Sequence, residues 1–587
     1  MGTISDKLMR IINTKEDIRQ ALISKGYDVP TSIPFKEYAK MILDLPCKVD
    51  SFPDIEGIVA RYSASGLTNE QMAANPVWVD KTGNGHDLQL KNFAWKGMSG
   101  VGGYVQNFND FRNNATVDKV RIDEQSSNSV KVTILATGIN NAIYIPKNIY
   151  QFNKSYFIKI SSEGYNEGDL SLLFYAPSTS TATTVKVPLN PNGITEIPAI
   201  KEDDFLAVYL NVGGKVGSIT IEQLPLYPGA LVFDGVDDYG TCNNFPILTK
   251  EKGYTVVALR QWISMGEIAK GLVSNVKNWF KDGAFLLEYR NIQADHLNKP
   301  ISFGAIGSEM DLPHILTYQT SKSCNGVSIT TGNFEGTDVL HVGKLAPTNV
   351  GTCINAAIWE LVFLDHDATE EELTKIKDYF VKTYPWLFPD QAWTVVGKTN
   401  EDEDRATIAN ITGNGNDLVL SNFGFAEGSG YNEEGEYAGY LVTDGVDDKI
   451  TSSIFKMGND WTVIGDWELI NTGKNDNAGI VKFDSIVIYN YNYNSVLINI
   501  KNGRNILIPD QNTVNAICSD GRIYSKDWKE SIYNEETEST SKNFLIIGYS
   551  GNAYTKIAFK NLAIYPTVLS REDCIKAYNY LQTLKAK

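Results

Sequence analysis

The stretch "TGNGHDLQLKNF" occupies residues 82–93 and "TGNGNDLVLSNF" occupies residues 412–423, so the chain writes nearly the same twelve residues twice, 330 positions apart. In the first copy Gly83, Asn84 and Gly85 suit a tight turn, because Gly and Asn accept positive φ at little cost. After the turn, Leu88 and Leu90 fall on one face of a strand while Asp87 and Gln89 fall on the other. A turn feeding an alternating strand is ordinary, and its recurrence is what carries information.

Two further echoes follow in the same order. "GALVFDGVDDYGTC" from Gly229 matches "GYLVTDGVDDKITS" from Gly439, each leading into an alternating strand at Tyr254 or Trp461. "ELVFLDHDATEEELTKIKDYF" from Glu360 is answered by "NLAIYPTVLSREDCIKAYNYL" from Asn561, an apolar strand running into a helix. Thr369 with Glu372 forms a capping-box start, and Ser570 with Asp573 offers the same start with a shorter acid. The offset falls from 330 to 210 and then 201. The first copy therefore holds about 120 extra residues between its opening turn and its DGVDD hairpin, as a repeat split by a guest domain would.

These landmarks divide the 587 residues. Residues 1–46 are a helical segment for anchoring and oligomerisation. Residues 51–107 and 227–384 form a discontinuous first module, 108–226 the insertion, and 392–587 the second module. In the helical segment Ile4, Leu8, Ile11, Lys15, Ile18 and Leu22 step alternately by four and three, a heptad seam whose Leu at a and Ile at d favour three or four strands. A monomeric helical hairpin is the alternative. The insertion is dense in short alternating strands (Ser129–Leu135, Lys154–Ile160, Phe205–Leu210), which reads as a small β-sandwich. "YPWLFPDQAW" from Tyr384 is a Pro-bounded link aromatic enough to dock.

Lys plus Arg number 53 and Asp plus Glu 70, for a net charge of −17. That disfavours nucleic acid, which needs a positive field, and adhesion to an anionic membrane. The six cysteines show no C-x-x-C pair and read as reduced, buried thiols. The opening residues have no apolar secretory core, so the expectation is a chain assembled inside a cell.

"ALVFDGVDDYG" and the closing "AIWELVFLDHDATEEELTKI" resemble laminin-G-like, concanavalin-type jelly rolls, and the insertion is similar to carbohydrate-binding-module sandwiches. The resemblance implies a mainly β protein: two such sandwiches, the first interrupted by a smaller one, behind the N-terminal helices. The segment "TISDKLMRIINTKEDIRQALISKGYDVPTSIPFKEYAKMI" resembles the opening of many virion proteins of Bacteroides-infecting, crAss-like phages. That implies a virion structural protein, a head or tail fibre or surface decoration. It would be held to other virion proteins by its helices, trimeric by preference, and would display lectin-like domains to host surface glycans. An exported bacterial glycan-binding or glycan-cleaving protein is the alternative.

Catalytic signatures are missing. No strand carries the E-x-D-x-E pattern of jelly-roll glycanases, and there is no G-x-S-x-G, H-E-x-x-H or P-loop. The expectation is a non-enzyme without cofactor. Asp234, Asp237 and Asp238, with Asp444, Asp447 and Asp448, could supply hard oxygens to Ca²⁺. An Asp-Gly hairpin also has a structural reason of its own, the side chain capping the turn and Gly supplying positive φ. Trp78, Trp95, Trp279 and Tyr165 are of the type that stacks on sugar rings, although Trp at a sandwich edge is more often core.

Overall fold

The computed structural model describes residues 52–587 together with Lys15 and Arg19, except for residues 178–182, 202–204, 250, 265–269, 276–285, 290–314, 329–336, 345–352, 427, 436, 454–457, 471–478, 484–485, 492–494, 501–503, 509–513, 526–527, 529, 533–544, 548–553 and 587. Residues Met1–Asp54 are one compact unit and Ile55–Lys587 another. Lys15 and Arg19 are helical. The seam residues Ile4, Leu8, Ile11, Ile18 and Leu22 lie outside the described residues.

The larger unit is mainly β, built of antiparallel sheets. One eight-stranded sheet runs in the order Val327–Ser328, Ser323–Cys324, Leu316–Thr320, Thr255–Ser264, Asn355–Leu364, Leu231–Asp234, Gly100–Val101, with Ile58–Ser63 also pairing on Asn355–Leu364. A second sheet shares its apolar core and is ordered Leu286–Tyr289, Gly271–Ser274, Val339–Val342, Tyr239–Asn243, Leu88–Lys91, Val77–Trp78. Leu88 and Leu90 are buried while Gln89 and Lys91 are exposed, the alternation their spacing predicts.

The same order recurs downstream. Glu530–Ile532, Arg522–Ser525, Val514–Cys518, Thr462–Leu469, Ile557–Tyr565, Leu441–Val442 and Gly430–Tyr431 repeat the first sheet, with Gln391–Thr394 pairing on Ile557–Tyr565. The companion sheet runs Thr407–Ile408, Leu418–Ser421, Lys449–Ser452, Leu545–Ile547, Gly479–Phe483, Ile486–Tyr491 and is extended by Ser495–Ile500 and Arg504–Ile508. In each sandwich one long strand, Asn355–Leu364 in the first and Ile557–Tyr565 in the second, is buried almost throughout. They are covered on both faces, which is why they read as continuous apolar runs.

The helix after each long strand begins as expected at one copy and differently at the other. Thr369 Oγ1 accepts the Glu372 N–H while Glu372 Oε2 accepts the Thr369 N–H, a complete capping box. At the second, Ser570 Oγ accepts the Asp573 N–H, but the shorter Asp573 carboxylate takes the Ser570 hydroxyl rather than its backbone N–H. The link between the sandwiches is docked: Trp386, Leu387 and Trp393 are buried, and the Tyr565 hydroxyl donates to Trp386 O.

Between Phe111 and Leu224 the described strands pair only with one another, in two five-stranded sheets enclosing a separate core. One runs Val185–Pro188, Ser171–Tyr175, Ala207–Asn211, Asn141–Pro146, Arg112–Asn113, and the other Ile194–Ile197, Tyr156–Glu163, Gly217–Gln223, Ser129–Ile134, Val120–Gln125. Among the described residues no helix is long and apolar enough to cross a membrane, and five cysteines (Cys242, Cys324, Cys353, Cys518, Cys574) are buried thiols.

Candidate functional site

The repeated dodecapeptide is a structural device, and several of its hydrogen bonds recur in both copies. Asp80 Oδ1 accepts the Thr82 N–H at 3.0 Å, as Asn410 Oδ1 accepts that of Thr412 at 3.0 Å. Asp87 and Asp417 each accept the backbone N–H seven residues earlier at 2.8 Å. Asn92 and Asn422 sit at φ 67° and 69°, and their amides donate to Asp237 O and Asp447 O, tying the strand's end to the DGVDD hairpin. A further echo becomes visible here. Asn69 in "TNE" accepts the Val101 N–H at 2.8 Å, and Asn400 in a second "TNE" accepts that of Tyr431 at 2.8 Å.

The acidic hairpins are tied into this frame. Asp234 Oδ1 accepts the Val236 N–H, Gly235 takes φ 82°, and a Cβ there would sit 2.8 Å from the Asn355 Cβ. The wholly buried Asp238 accepts from Asp234 N and the Ser99 hydroxyl, each at 3.0 Å. Asp444 and Asp448 repeat the first two of these bonds. Burial pushes the Asp238 carboxyl up to about 7, with Asp234 adding to it, and burial raises Asp448 as well. Each trio (Asp234, Asp237, Asp238 and Asp444, Asp447, Asp448) brings one oxygen per residue to within 4.8 Å of the others. The oxygens of Asp234, Asp238 and Asp444 are engaged with the turn, so the observed work of these residues is to hold it.

Beside each turn lies an open cleft, of about 370 Å³ next to Asn84 and about 590 Å³ next to Asn414. Their asparagine walls are engaged: Asn84 Nδ2 donates to Val59 O, and Asn414 Nδ2 to Asp390 O. Of the aromatic residues of sugar-stacking type, Trp78 is buried with its indole N–H on Ser63 O, and Tyr165 is buried with its hydroxyl on Lys215 O. Trp95 is half-buried and stacked on Phe93 at 4.9 Å. Trp279 lies outside the described residues.

Outward-facing aromatic surface is found instead on the inserted sandwich. Cross-strand register places Arg112, Tyr144, Tyr209, Leu173 and Lys186 opposite one another in a row across all five strands of one sheet. Directly paired residues share a face. In Asn141–Pro146 the buried Ile143 and Ile145 flank the half-buried Tyr144; in Ala207–Asn211 Val208 and Leu210 flank Tyr209 in the same way. Tyr144 and Tyr209 lie 5.6 Å apart at 34°, and Tyr175, 40% exposed, stands edge-on to Tyr209 at 6.0 Å and 83°. Ala207 faces outward too, yet it is 3% exposed, beside these rings. Burial raises the Tyr209 phenol, and the neighbouring tyrosines add to it. Among the described residues none of the three hydroxyls has a hydrogen-bond partner. Sequence reasoning overlooked this cluster, although the signal was present: "IYI" and "VYL" each set a Tyr at the solvent phase of an otherwise inward-alternating strand.

No protein-family model matches the sequence, and comparison with curated proteins gives no match. Among solved structures the chain is similar to the receptor binding domain of botulinum neurotoxin C/D mosaic serotype (10% identity, TM-score 0.25, 32% of this chain and 50% of that one). It is also similar to the botulinum neurotoxin serotype D ligand binding domain in complex with N-acetylneuraminic acid (10%, 0.24, 32% and 50%). A third likeness is to the binding domain of Paraclostridial Mosquitocidal Protein 1 (13%, 0.21, 32% and 51%). The chain thus spans about half the length of the structures it matches, and at these scores the likenesses carry no argument about what it binds.

Proposed function

We propose that the chain is a glycan-adhesion protein of a phage particle, a head or tail fibre or surface decoration that displays its sandwiches to host surface polysaccharide. The observation that carries the adhesive role is the tyrosine cluster. Three large amphipathic rings, Tyr144 and Tyr175 each against Tyr209, with hydroxyls that have no hydrogen-bond partner among the described residues, form a surface that a folded chain has no internal use for. Tyrosine supplies broad contact area at low entropic cost and presents both an apolar face and a donor, which is what a pyranose ring with its C–H face and hydroxyls requires. The reading includes no catalytic step and no cofactor.

Placement on a virion rests on the N-terminal resemblance. A helical anchor that gathers several chains would multiply weak sugar contacts into avidity. Binding of the full chain to polysaccharide extracted from susceptible cells should fall about tenfold or more in a Tyr144→Ala/Tyr209→Ala double variant. Unchanged binding would remove the adhesive reading. Immuno-electron microscopy of particles, with antibody against residues 392–587, tests the address, and label absent from particles but present on bacterial surfaces would favour an exported bacterial protein instead.

A further inference from the structure

We infer that the tyrosine face selects acidic polysaccharide, one whose repeating sugars carry carboxylates, over neutral glycan; this rests on the adhesive reading above. The sheet that bears the rings is one-sided in charge. Its five strands contribute Arg112 and Lys186 and not one aspartate or glutamate. The opposite sheet of the same sandwich carries five acids, Asp123, Glu124, Glu163, Glu196 and Glu222, against three bases, Arg121, Lys131 and Lys159. The whole chain has a net charge of −17. An acidic polymer is therefore repelled by the body of the molecule, while the described strands of this sheet offer it cations and no carboxylate.

Register then places those cations where a sugar chain would need them. Arg112 pairs opposite Tyr144, Tyr144 opposite Tyr209, Tyr209 opposite Leu173, and Leu173 opposite Lys186. The two basic residues close the two ends of the row, four strand spacings apart, about 19 Å. Several pyranose rings in line fit between them. Both are exposed, and among the described residues neither makes an ion pair. Tyr144 and Tyr209 form a shallow floor, and Tyr175, edge-on to Tyr209, rises beside it as a wall. A polymer lying along the row would stack its rings on the floor and reach Arg112 at one end and Lys186 at the other with its carboxylates. The guanidinium can take a carboxylate through two parallel N–H bonds.

The test uses the full chain with polygalacturonate, alginate and hyaluronate, each paired with its own carboxyl-reduced counterpart, which keeps the sugar backbone and removes the charge. Isothermal titration at low and at raised salt should show at least one acidic polymer bound about tenfold or more tighter than its reduced form, with the difference collapsing as salt rises. An Arg112→Gln/Lys186→Gln variant should lose that preference and keep the affinity for the reduced polymer. Both residues are exposed, so an unchanged thermal midpoint verifies the fold. Equal affinity for each pair, a preference that survives the charge variant, or no binding to any acidic polymer overturns the inference. A wild-type chain that binds reduced and acidic polymers alike, and loses both in the Tyr144→Ala/Tyr209→Ala variant, overturns the charge selectivity while leaving the adhesive reading intact.

Discussion

Asp238 shows how much a single buried carboxyl decides. Its ordinary value of 3.8 is raised to about 7 in the folded chain, burial being the main cause. Below about pH 4 the group is protonated folded or unfolded, and burial then costs no ionisation. As pH rises to about 7 the unfolded chain releases its proton more readily than the folded one, so stability falls across that window. Comparing Asp238→Asn with the parent by thermal unfolding should show the parent's decline from pH 4 to 7 flattened in the variant, and a parallel pair of curves would refute the assignment. Asp234, Asp238, Asp444 and Asp448 each commit a carboxylate oxygen to a hydrogen bond within their hairpin, so millimolar calcium or a chelator should leave the unfolding midpoint where it was; a calcium-dependent rise of several degrees would show that the trios bind the ion. "DG" announces the turn in the sequence. That the last Asp of the motif is buried against Ser99, 139 residues away, does not follow from any local pattern.

Among elements, the long strand Asn355–Leu364 is the axis of the first sandwich, and Glu360 on it is wholly buried. Its carboxylate meets the buried Arg61 at 3.0 Å and accepts the hydroxyls of Tyr384 at 2.8 Å and Tyr379 at 3.2 Å. Strand, long strand and following helix are thereby joined through one charge pair. Glu360→Gln removes the buried carboxylate that faces the Arg61 guanidinium and should cost about 3 kcal/mol or more, read from denaturant unfolding. The second sandwich has Asn561 at the corresponding place, so the duplication kept the strand and changed what sits beneath it. Apolar run, cap and following helix are all visible in the sequence at both copies. The partner of Glu360 is not, since Arg61 lies 299 residues away.

At the scale of the molecule, three ordered echoes in the sequence correspond to two sandwiches with one strand order, down to the seven-residue Asp clamp and the positive φ of Asn92 and Asn422. If the N-terminal segment gathers the chains, sedimentation should find full-length protein as an oligomer, a trimer by preference, and a chain lacking residues 1–46 as a monomer; a monomeric full-length chain would end that proposal. The mainly β class, the turns and the strand alternations could be determined from the sequence alone, because φ preference and the two-residue period are local properties written residue by residue. The tyrosine face could only be decided by the tertiary structure. Tyr144, Tyr175 and Tyr209 come from three strands whose register is set by long-range pairing, and a surface exists only once distant strands lie side by side.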